Sequence, residues 1–196
     1  EVVLNVKNLT FSNVKFTAKV EISSTMSATT IDGVTFNSCV FETEKVNNID
    51  KQALNFSNSL NNGNVTNLKV DGCKFNNCYQ GVYTNTVKNI FVTNSEFSGT
   101  FHNAIAVQTG NDAVNHGVVV ISGNTFTDIG DRIIRFNKVG AGTHITITNN
   151  AATNCNAEKE AIKAESLDGG VTYTISGNNW GNAKAPANDQ LKDPLT

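Results

Sequence analysis

The feature that most constrains this chain is a motif that recurs seven times. In each copy an aliphatic residue is followed two places on by Gly or Asn, and three places after that by an aromatic residue in all copies but one. The aliphatic residues are Val6, Ile31, Val70, Val92, Ile121, Ile147 and Ile175. The Gly/Asn positions are Asn8, Gly33, Gly72, Asn94, Gly123, Asn149 and Gly177. The last positions are Phe11, Phe36, Phe75, Phe97, Phe126, Ala152 and Trp180. Successive copies lie 22 to 39 residues apart, which is the period of a solenoid.

Each copy begins with a strand signal. In residues 145–147 (Ile-Thr-Ile) and 90–92 (Ile-Phe-Val), aliphatic residues recur at every second position, which is the period of a half-buried strand. Gly and Asn tolerate a left-handed backbone best, so the middle position predicts one bend repeated seven times. A second short strand is predicted after the aromatic position in most copies. These second strands cover residues 20–22, 54–56, 82–84, 105–107, 134–136 and 162–164.

Bends and short strands at this period predict an all-β fold, a single right-handed parallel β-helix of about seven coils. The hand follows from the crossover rule for parallel strands. The coils are predicted over residues 2–182, with a C-terminal cap or tail over 183–196. The longest step predicts surface loops at 42–50 and 59–65. Only residues 156–167 have a helical composition, and there a strand preceded by a helical turn is favoured.

Composition bounds the function. The 196 residues carry a net charge of −2, with 16% charged residues and no basic stripe, which argues against nucleic acid and anionic membrane surfaces. No apolar run is long enough to cross a membrane. The Asn/Thr/Ser-rich composition is typical of secreted and cell-surface solenoids. The predicted localisation is therefore extracellular or at the cell surface.

The four cysteines are predicted to be core residues. Cys39, Cys78 and Cys155 fall in one inward column of the alignment, and Cys73 lies nearby. A disulfide between Cys39 and Cys78 is the alternative. Parallel neighbours hold their Cβ atoms farther apart than a disulfide prefers, so free, stacked thiols are favoured.

Three segments carry a resemblance to a known family: 121–136 (ISGNTFTDIGDRIIRF), 70–84 (VDGCKFNNCYQGVYT) and 175–182 (ISGNNWGN). They resemble right-handed parallel β-helix proteins of the pectate-lyase-like superfamily. The closing Asn-Asn-Trp-Gly is similar to the last coil of non-catalytic bacterial surface β-helix domains. The superfamily contains polysaccharide lyases, polygalacturonases, phage tailspikes and adhesin-like domains, so the resemblance implies a fold and leaves the chemistry open.

Two aspartates are the first candidate site. The alignment places Asp32 and Asp71 at the same outward position of neighbouring coils, about 4.8 Å apart, a separation that suits a catalytic carboxylate pair or Ca²⁺. In the favoured interpretation each Asp instead bonds the bend that follows it, and Lys7 balances the charge. The sequence therefore predicts no cofactor and no metal, with Ca²⁺ as the least favoured alternative. Arg135 is a weak catalytic candidate and is favoured as a solvated surface residue.

A long outward face is the second candidate. It is marked by the middle residues of the second strands together with Tyr79 in the preceding bend. The weak ligand-binding candidates on it are Tyr79, Tyr83, Arg135 and Lys163, with Asn55 and Ala106 in the same column. A flat face with hydroxyl and amide groups suits an extended glycan or a protein partner.

The sequence thus predicts a non-catalytic bacterial surface or secreted domain for adhesion or glycan binding, whose partner is a glycan or a host surface protein. One alternative is a polysaccharide lyase or glycoside hydrolase acting on acidic polysaccharides through Asp32, Asp71 and Arg135. A further alternative is a structural spacer in a larger surface protein. Unpaired strand edges aggregate, so the N-terminal edge is expected to be covered by upstream sequence or another chain, and residues 181–196 to form a lid.

Overall fold

The computed structural model describes residues 6–24, 30–58, 65–109 and 112–185. These residues form three parallel sheets whose strands stack in sequence order, so the predicted parallel β-helix is confirmed. The predicted loop at 59–65 lies almost wholly outside the described residues, as do the start of the chain and most of the predicted C-terminal cap. Lys184 still forms a parallel bridge with Glu160 of the previous coil.

The widest sheet, sheet A, contains one strand from each coil. Its strands are β1 (Val6–Ser12), β4 (Ile31–Asn37), β7 (Val65–Asp71), β10 (Lys88–Thr93), β13 (Val118–Ser122), β16 (His144–Thr148) and β19 (Thr172–Ser176). Sheet B follows sheet A along the chain in each coil. Its strands are β2 (Lys15–Phe16), β5 (Val40–Glu42), β8 (Lys74–Cys78), β11 (Glu96–Thr100), β14 (Thr125–Ile129) and β17 (Ala151–Thr153).

Sheet C completes each coil and contains the predicted second strands, which are confirmed. Its strands are β3 (Val20–Ser24), β6 (Leu54–Asn58), β9 (Val82–Asn85), β12 (Ile105–Gln108), β15 (Ile134–Asn137) and β18 (Ile162–Ala164). A turn precedes β18, as expected for the segment of helical composition. The predicted loop at 42–50 is also present, and its last two residues begin a 3-10 helix (Ile49–Lys51). In the described residues no helix is long and apolar enough to cross a membrane.

A file of phenylalanines runs through the interior along sheet B. Phe41, Phe75, Phe97 and Phe126 occupy equivalent positions in four successive coils and are buried. Their ring centroids lie 4.7, 4.5 and 5.1 Å apart along the file, with near-parallel planes. Because parallel strands bring like residues to the same height in successive coils, one aromatic column fills the core.

The gap-free alignment of the seven motifs is wrong in its first two copies. Phe36 lies in sheet A opposite Val70, whereas the neighbour of Phe75 in the file is Phe41. Phe36 meets Phe41 edge to face, with ring centroids 5.5 Å apart. The predicted fold is still correct, because Phe36 and Phe41 both point into the same core.

The error arises because each of the first four coils has two left-handed bends five residues apart. All seven aligned Gly/Asn positions have positive φ, between 50° and 76°, as predicted. Asn8 and Gly33, however, lie at the first bend, and the other five lie at the second. At the second bend the first two coils place Asn13 and Ser38, also with positive φ. A motif that fits either bend cannot by itself fix the register.

The same misalignment makes the predicted column of Cys39, Cys78 and Cys155 wrong at Cys39. Cys39 lies opposite Cys73, while Cys78 lies opposite Thr100, so Cys39 and Cys78 are not neighbours. All four cysteines are buried and free, as the favoured interpretation predicted. Burial raises the pKa of the Cys73 thiol to about 11 and that of Cys78 to about 12. These thiols therefore stay protonated at neutral pH and serve as packing groups.

Buried asparagines form a polar ladder inside the later coils. The side-chain oxygen of Asn124 accepts from the backbone N–H of Ser95 at 2.9 Å, and that of Asn150 accepts from the Asn124 N–H at 3.0 Å. Asn178 repeats the contact with Asn150 at 3.0 Å. Each amide nitrogen donates to a backbone carbonyl, such as Asn124 to Val92 at 2.9 Å. The ladder thus satisfies the buried backbone groups at the turn between sheets A and B.

His116 is a buried histidine held in its neutral form. It is fully buried, and its Nδ1 lies 2.7 Å from the backbone oxygen of Val87. Its Nε2 is buried and has no hydrogen-bond partner among the described residues. Burial lowers the pKa of His116 below the ordinary value of 6.5, because protonation would place a charge in the interior.

This histidine predicts a loss of stability in mild acid. Well above pH 6.5 His116 is neutral in both the folded and the unfolded state, and its contribution to stability does not change with pH. As the pH falls below 6.5 the unfolded chain takes up a proton first, so the free energy of unfolding should fall by up to about 1.4 kcal/mol per pH unit until the folded state is also protonated. Denaturant titrations at pH 7.5, 6.5 and 5.5 measure this slope. We expect His116→Gln to make it shallower and the exposed His144→Gln to preserve it; equal slopes in all three proteins would contradict the assignment.

Candidate functional site

The two candidate aspartates do not form a pair. Asp32 lies opposite Thr66, and Asp71 lies opposite Asn37 on one side and Thr93 on the other. The prediction that they share an outward position is wrong, because it depended on the misaligned second copy. They therefore provide neither the carboxylate pair nor the calcium site considered from the sequence.

Each aspartate instead receives two hydrogen bonds from the next coil. Thr66 Oγ1 and Asn67 Nδ2 donate to Asp32 Oδ1 at 2.7 and 2.6 Å. Thr93 Oγ1 and Asn94 Nδ2 donate to Asp71 Oδ1 at 2.8 and 3.0 Å. The threonine hydrogen bond is the largest cause that lowers the pKa of each carboxyl group. Both side chains are therefore ionised hydrogen-bond acceptors.

The arrangement of acidic and metal-ligating side chains bears on metal binding and acid catalysis. These contain no group of three or more His, Cys, Asp or Glu residues placed to hold a metal ion. The carboxyl groups among them with a displaced pKa are Asp32, Asp71 and Glu160, and all three are lowered. A general acid in a glycosidase needs a raised pKa, so these three suit binding better than proton donation.

The long outward face lies on sheet C in the predicted register. Asn55, Tyr83, Ala106, Arg135 and Lys163 form one column, in that order. Most of its polar side chains form hydrogen bonds or ion pairs within the protein. Arg135 forms a bidentate pair with Glu165, at 3.1 and 2.9 Å, and Gln108 Nε2 donates to the Tyr83 hydroxyl at 2.6 Å. Ala106 is fully buried in the middle of the column, so the face offers few free groups to a ligand.

Tyr79 lies at the corner between sheets B and C, away from that column. Its ring stacks on His102 with centroids 5.4 Å apart and on Phe101 with centroids 6.1 Å apart. Its backbone N–H donates to the carbonyl of Lys51 in the inserted loop at 2.9 Å. Tyr79 thus contributes mainly to the packing of this corner.

A linear series of polar contacts begins at His102 in this corner and continues to Lys163. His102 Nε2 lies 3.3 Å from Asp131, which pairs with Arg132 at 3.0 Å. Arg132 lies 3.5 Å from Glu160, and Glu160 lies 3.4 Å from Lys163. Burial lowers the pKa of His102, against the attraction of Asp131. Lys163 therefore pairs with a carboxylate of the same network, although His102 Nδ1 and Arg132 Nε are buried without a hydrogen-bond partner among the described residues.

A concavity on the outer face of sheet A was not predicted. It has a volume of about 530 Å³ and opens to solvent. Its lining residues are Lys69, Asp71, Phe91, Thr93, Asn94 and Ser122. Parallel pairing brings them together: Lys69 lies opposite Phe91, and Asp71 lies opposite Thr93, which lies opposite Ser122.

The concavity combines one aromatic ring with a polar rim. Phe91 points outward and is partly exposed, and it lies next to Lys69 in the neighbouring coil. Lys69 Nζ lies 3.6 Å from Asp71 Oδ2, and the two side chains are 52% and 30% exposed. An apolar surface with a few convergent polar groups is the usual composition of a small-molecule site. We refer to these six lining residues as the Phe91 site.

A sequence signal for Phe91 existed. It is the middle residue of the alternating segment 90–92, so strand periodicity already assigned it to the outer face. The aromatic candidates predicted from the sequence, Tyr79 and Tyr83, lie in a bend and in a second strand instead. The alignment also pairs Val70 with Val92, which is the observed register of β7 and β10, so the sequence already placed Phe91 opposite Lys69 and near Asp71.

No protein family, curated protein or solved structure matches the chain.

Proposed function

We propose that this protein is a rigid, non-catalytic binding domain of a secreted or cell-surface protein, and that it binds a glycan through the Phe91 site. The observation that carries the proposal is the partly exposed ring of Phe91, which lines the same concavity as the solvent-accessible Lys69–Asp71 ion pair. A sugar ring has an apolar C–H face that packs on an aromatic side chain and hydroxyl groups at its edge that bind polar neighbours.

The scaffold supports this proposal because it holds the site in place before the ligand arrives. The lining residues lie on or next to β7, β10 and β13, which are hydrogen-bonded to one another in register. Thr93 and Asn94 fix the Asp71 carboxylate. Preorganised side chains lose less conformational entropy on binding, which favours weak, extended ligands such as glycans.

We further propose that the chain is a bacterial surface domain related to the pectate-lyase-like superfamily. Its support is the resemblance of segments 121–136, 70–84 and 175–182 together with the arrangement of three parallel sheets. Adhesion to a glycan-coated surface is the role that such a site would serve.

The test compares two aromatic substitutions. Phe91→Ala removes the ring from sheet A, whereas Tyr83→Ala removes the ring from the sequence-predicted face of sheet C. We expect Phe91→Ala to weaken binding to the best ligand from a glycan array by about tenfold or more, the effect of a central binding residue. Tyr83→Ala should change it by less than about twofold.

The readout is the dissociation constant by biolayer interferometry, with circular dichroism to confirm folding. The reverse pattern would assign binding to sheet C and refute the Phe91 site. Absence of glycan binding by the unmodified protein would favour the structural spacer. Release of shorter products from the ligand would establish an enzyme instead.

A further inference from the structure

We infer that the Phe91 site selects neutral sugars over uronic acids, and that Asp71 is the residue that determines this selection. The inference rests on the proposed function and names the ligand class of the same site. It depends on how the carboxylate of Asp71 is hydrogen-bonded and on what remains free beside it.

The two oxygens of Asp71 have different environments. Oδ1 accepts from Thr93 Oγ1 at 2.8 Å and from Asn94 Nδ2 at 3.0 Å. Oδ2 faces Lys69 Nζ at 3.6 Å, which is longer than a direct hydrogen bond. Oδ2 and the ammonium group of Lys69 therefore form an ion pair in which Oδ2 can still accept a hydrogen bond from a ligand and Nζ can still donate one.

This pair matches two adjacent hydroxyl groups of a pyranose. One ligand hydroxyl donates to Asp71 Oδ2, and its neighbour accepts from Lys69 Nζ. The ring of Phe91 lies beside Lys69 in the neighbouring coil and supplies the apolar surface on which the sugar packs. Both contacts are charge-assisted, which makes them the stronger class of hydrogen bond.

A uronate has the same ring hydroxyl groups, but it also brings a carboxylate into the small site that contains Asp71. An ionised carboxylate only accepts hydrogen bonds, and so does the carboxylate of a uronic acid at neutral pH. The two anions cannot hydrogen-bond to each other, and they repel. Lys69 cannot compensate fully, because within the Phe91 site its charge is already balanced by Asp71. The site therefore favours a ligand that carries hydroxyl donors and no charge.

Asp32 provides a matched control within the same chain. It accepts the same pair of hydrogen bonds, from Thr66 and Asn67, on another part of sheet A. It does not line the concavity. Asp71→Asn and Asp32→Asn therefore perturb equivalent hydrogen bonds, whereas only Asp71→Asn changes the charge of the Phe91 site.

The experiment measures the affinity for glucose, galactose and mannose tetramers, each beside the corresponding tetramer with carboxylates at C6. We expect the unmodified protein to bind at least one neutral tetramer about tenfold more tightly than its uronate counterpart. Asp71→Asn should reduce that ratio about fivefold or more, because the repulsion is lost. Asp32→Asn should leave the ratio within about twofold.

The outcomes separate this inference from the proposed function. Equal or tighter binding of the uronates, abolished by Phe91→Ala, would overturn the neutral-sugar selection and leave the Phe91 site intact. An equal change of the ratio in both aspartate variants would overturn the role of Asp71. Failure of every neutral and acidic tetramer to bind would refute the proposed function and the inference together.

Discussion

Phe97→Ala should lower the free energy of unfolding by about 3–5 kcal/mol, a large fraction of the total stability of an ordinary domain. The Phe97 ring is 1% exposed and stacks between Phe75 and Phe126. Gly81 also approaches it so closely that a Cβ atom there would lie 2.8 Å from the ring. Neighbouring coils are held by their own strand pairing and cannot collapse into the vacated space, so the substitution leaves a cavity.

Urea denaturation followed by circular dichroism measures this effect. Phe101→Ala is the control, because Phe101 is 39% exposed at the corner between sheets B and C, only four residues farther along the chain. We expect that variant to lose less than about 1 kcal/mol. Comparable losses in the two variants would mean that the phenylalanine file is not the core of the fold.

Asn124→Ala should cost about 3 kcal/mol or more, although it removes only a small polar side chain. The substitution leaves the buried N–H of Ser95 and the carbonyl of Val92 without the partners that Asn124 provides at 2.9 Å each. It also removes a donor at 3.0 Å from Asn150 Oδ1. Each buried group left unsatisfied costs about 1–3 kcal/mol.

Asn37→Ala is the matched control, because Asn37 is exposed at the outer face of β4. Its loss should be within about 0.5 kcal/mol in the same urea titration. Native-state hydrogen exchange adds a local readout: the Ser95 amide should lose protection in Asn124→Ala. Retained protection at Ser95 with unchanged stability would show that the asparagine ladder does not satisfy the backbone.

The period and the bends were predictable from the sequence, whereas the register of the first coils was not. Strand alternation and left-handed Gly/Asn residues are local properties, and Gly123 and Asn149 carry both signals. Register depends on which residues face each other across coils, and the two bends of each coil are chemically alike. The insertion between the second and third coils removed the constant spacing that would have resolved them.

The accuracy of the predicted sites depended on the accuracy of the predicted register. Asp32 and Asp71 were paired by the misaligned copy, and the structure places them at different positions of sheet A. The column of Tyr83 and Arg135 was predicted correctly, because its strands lie in coils with regular spacing. The sequence could not show that Glu165 forms an ion pair with Arg135, because that contact joins residues 30 positions apart.

The asparagine ladder shows a further limit of the sequence. Asn124, Asn150 and Asn178 each follow a bend residue, so composition alone assigns them to surface turns. They are instead buried, and their side chains bond between coils. An Asn side chain can hydrogen-bond the backbone of its own turn or the backbone of the next coil. Only the stacking of the coils decides between these two roles.

An NMR titration of the isotope-labelled protein with the tightest-binding neutral tetramer tests the central claim most directly. Backbone amide shifts should change first at Lys69, Asp71, Phe91, Thr93 and Ser122, which lie in three neighbouring strands of sheet A. Shifts confined to the sheet C column around Tyr83 and Arg135 would contradict the account.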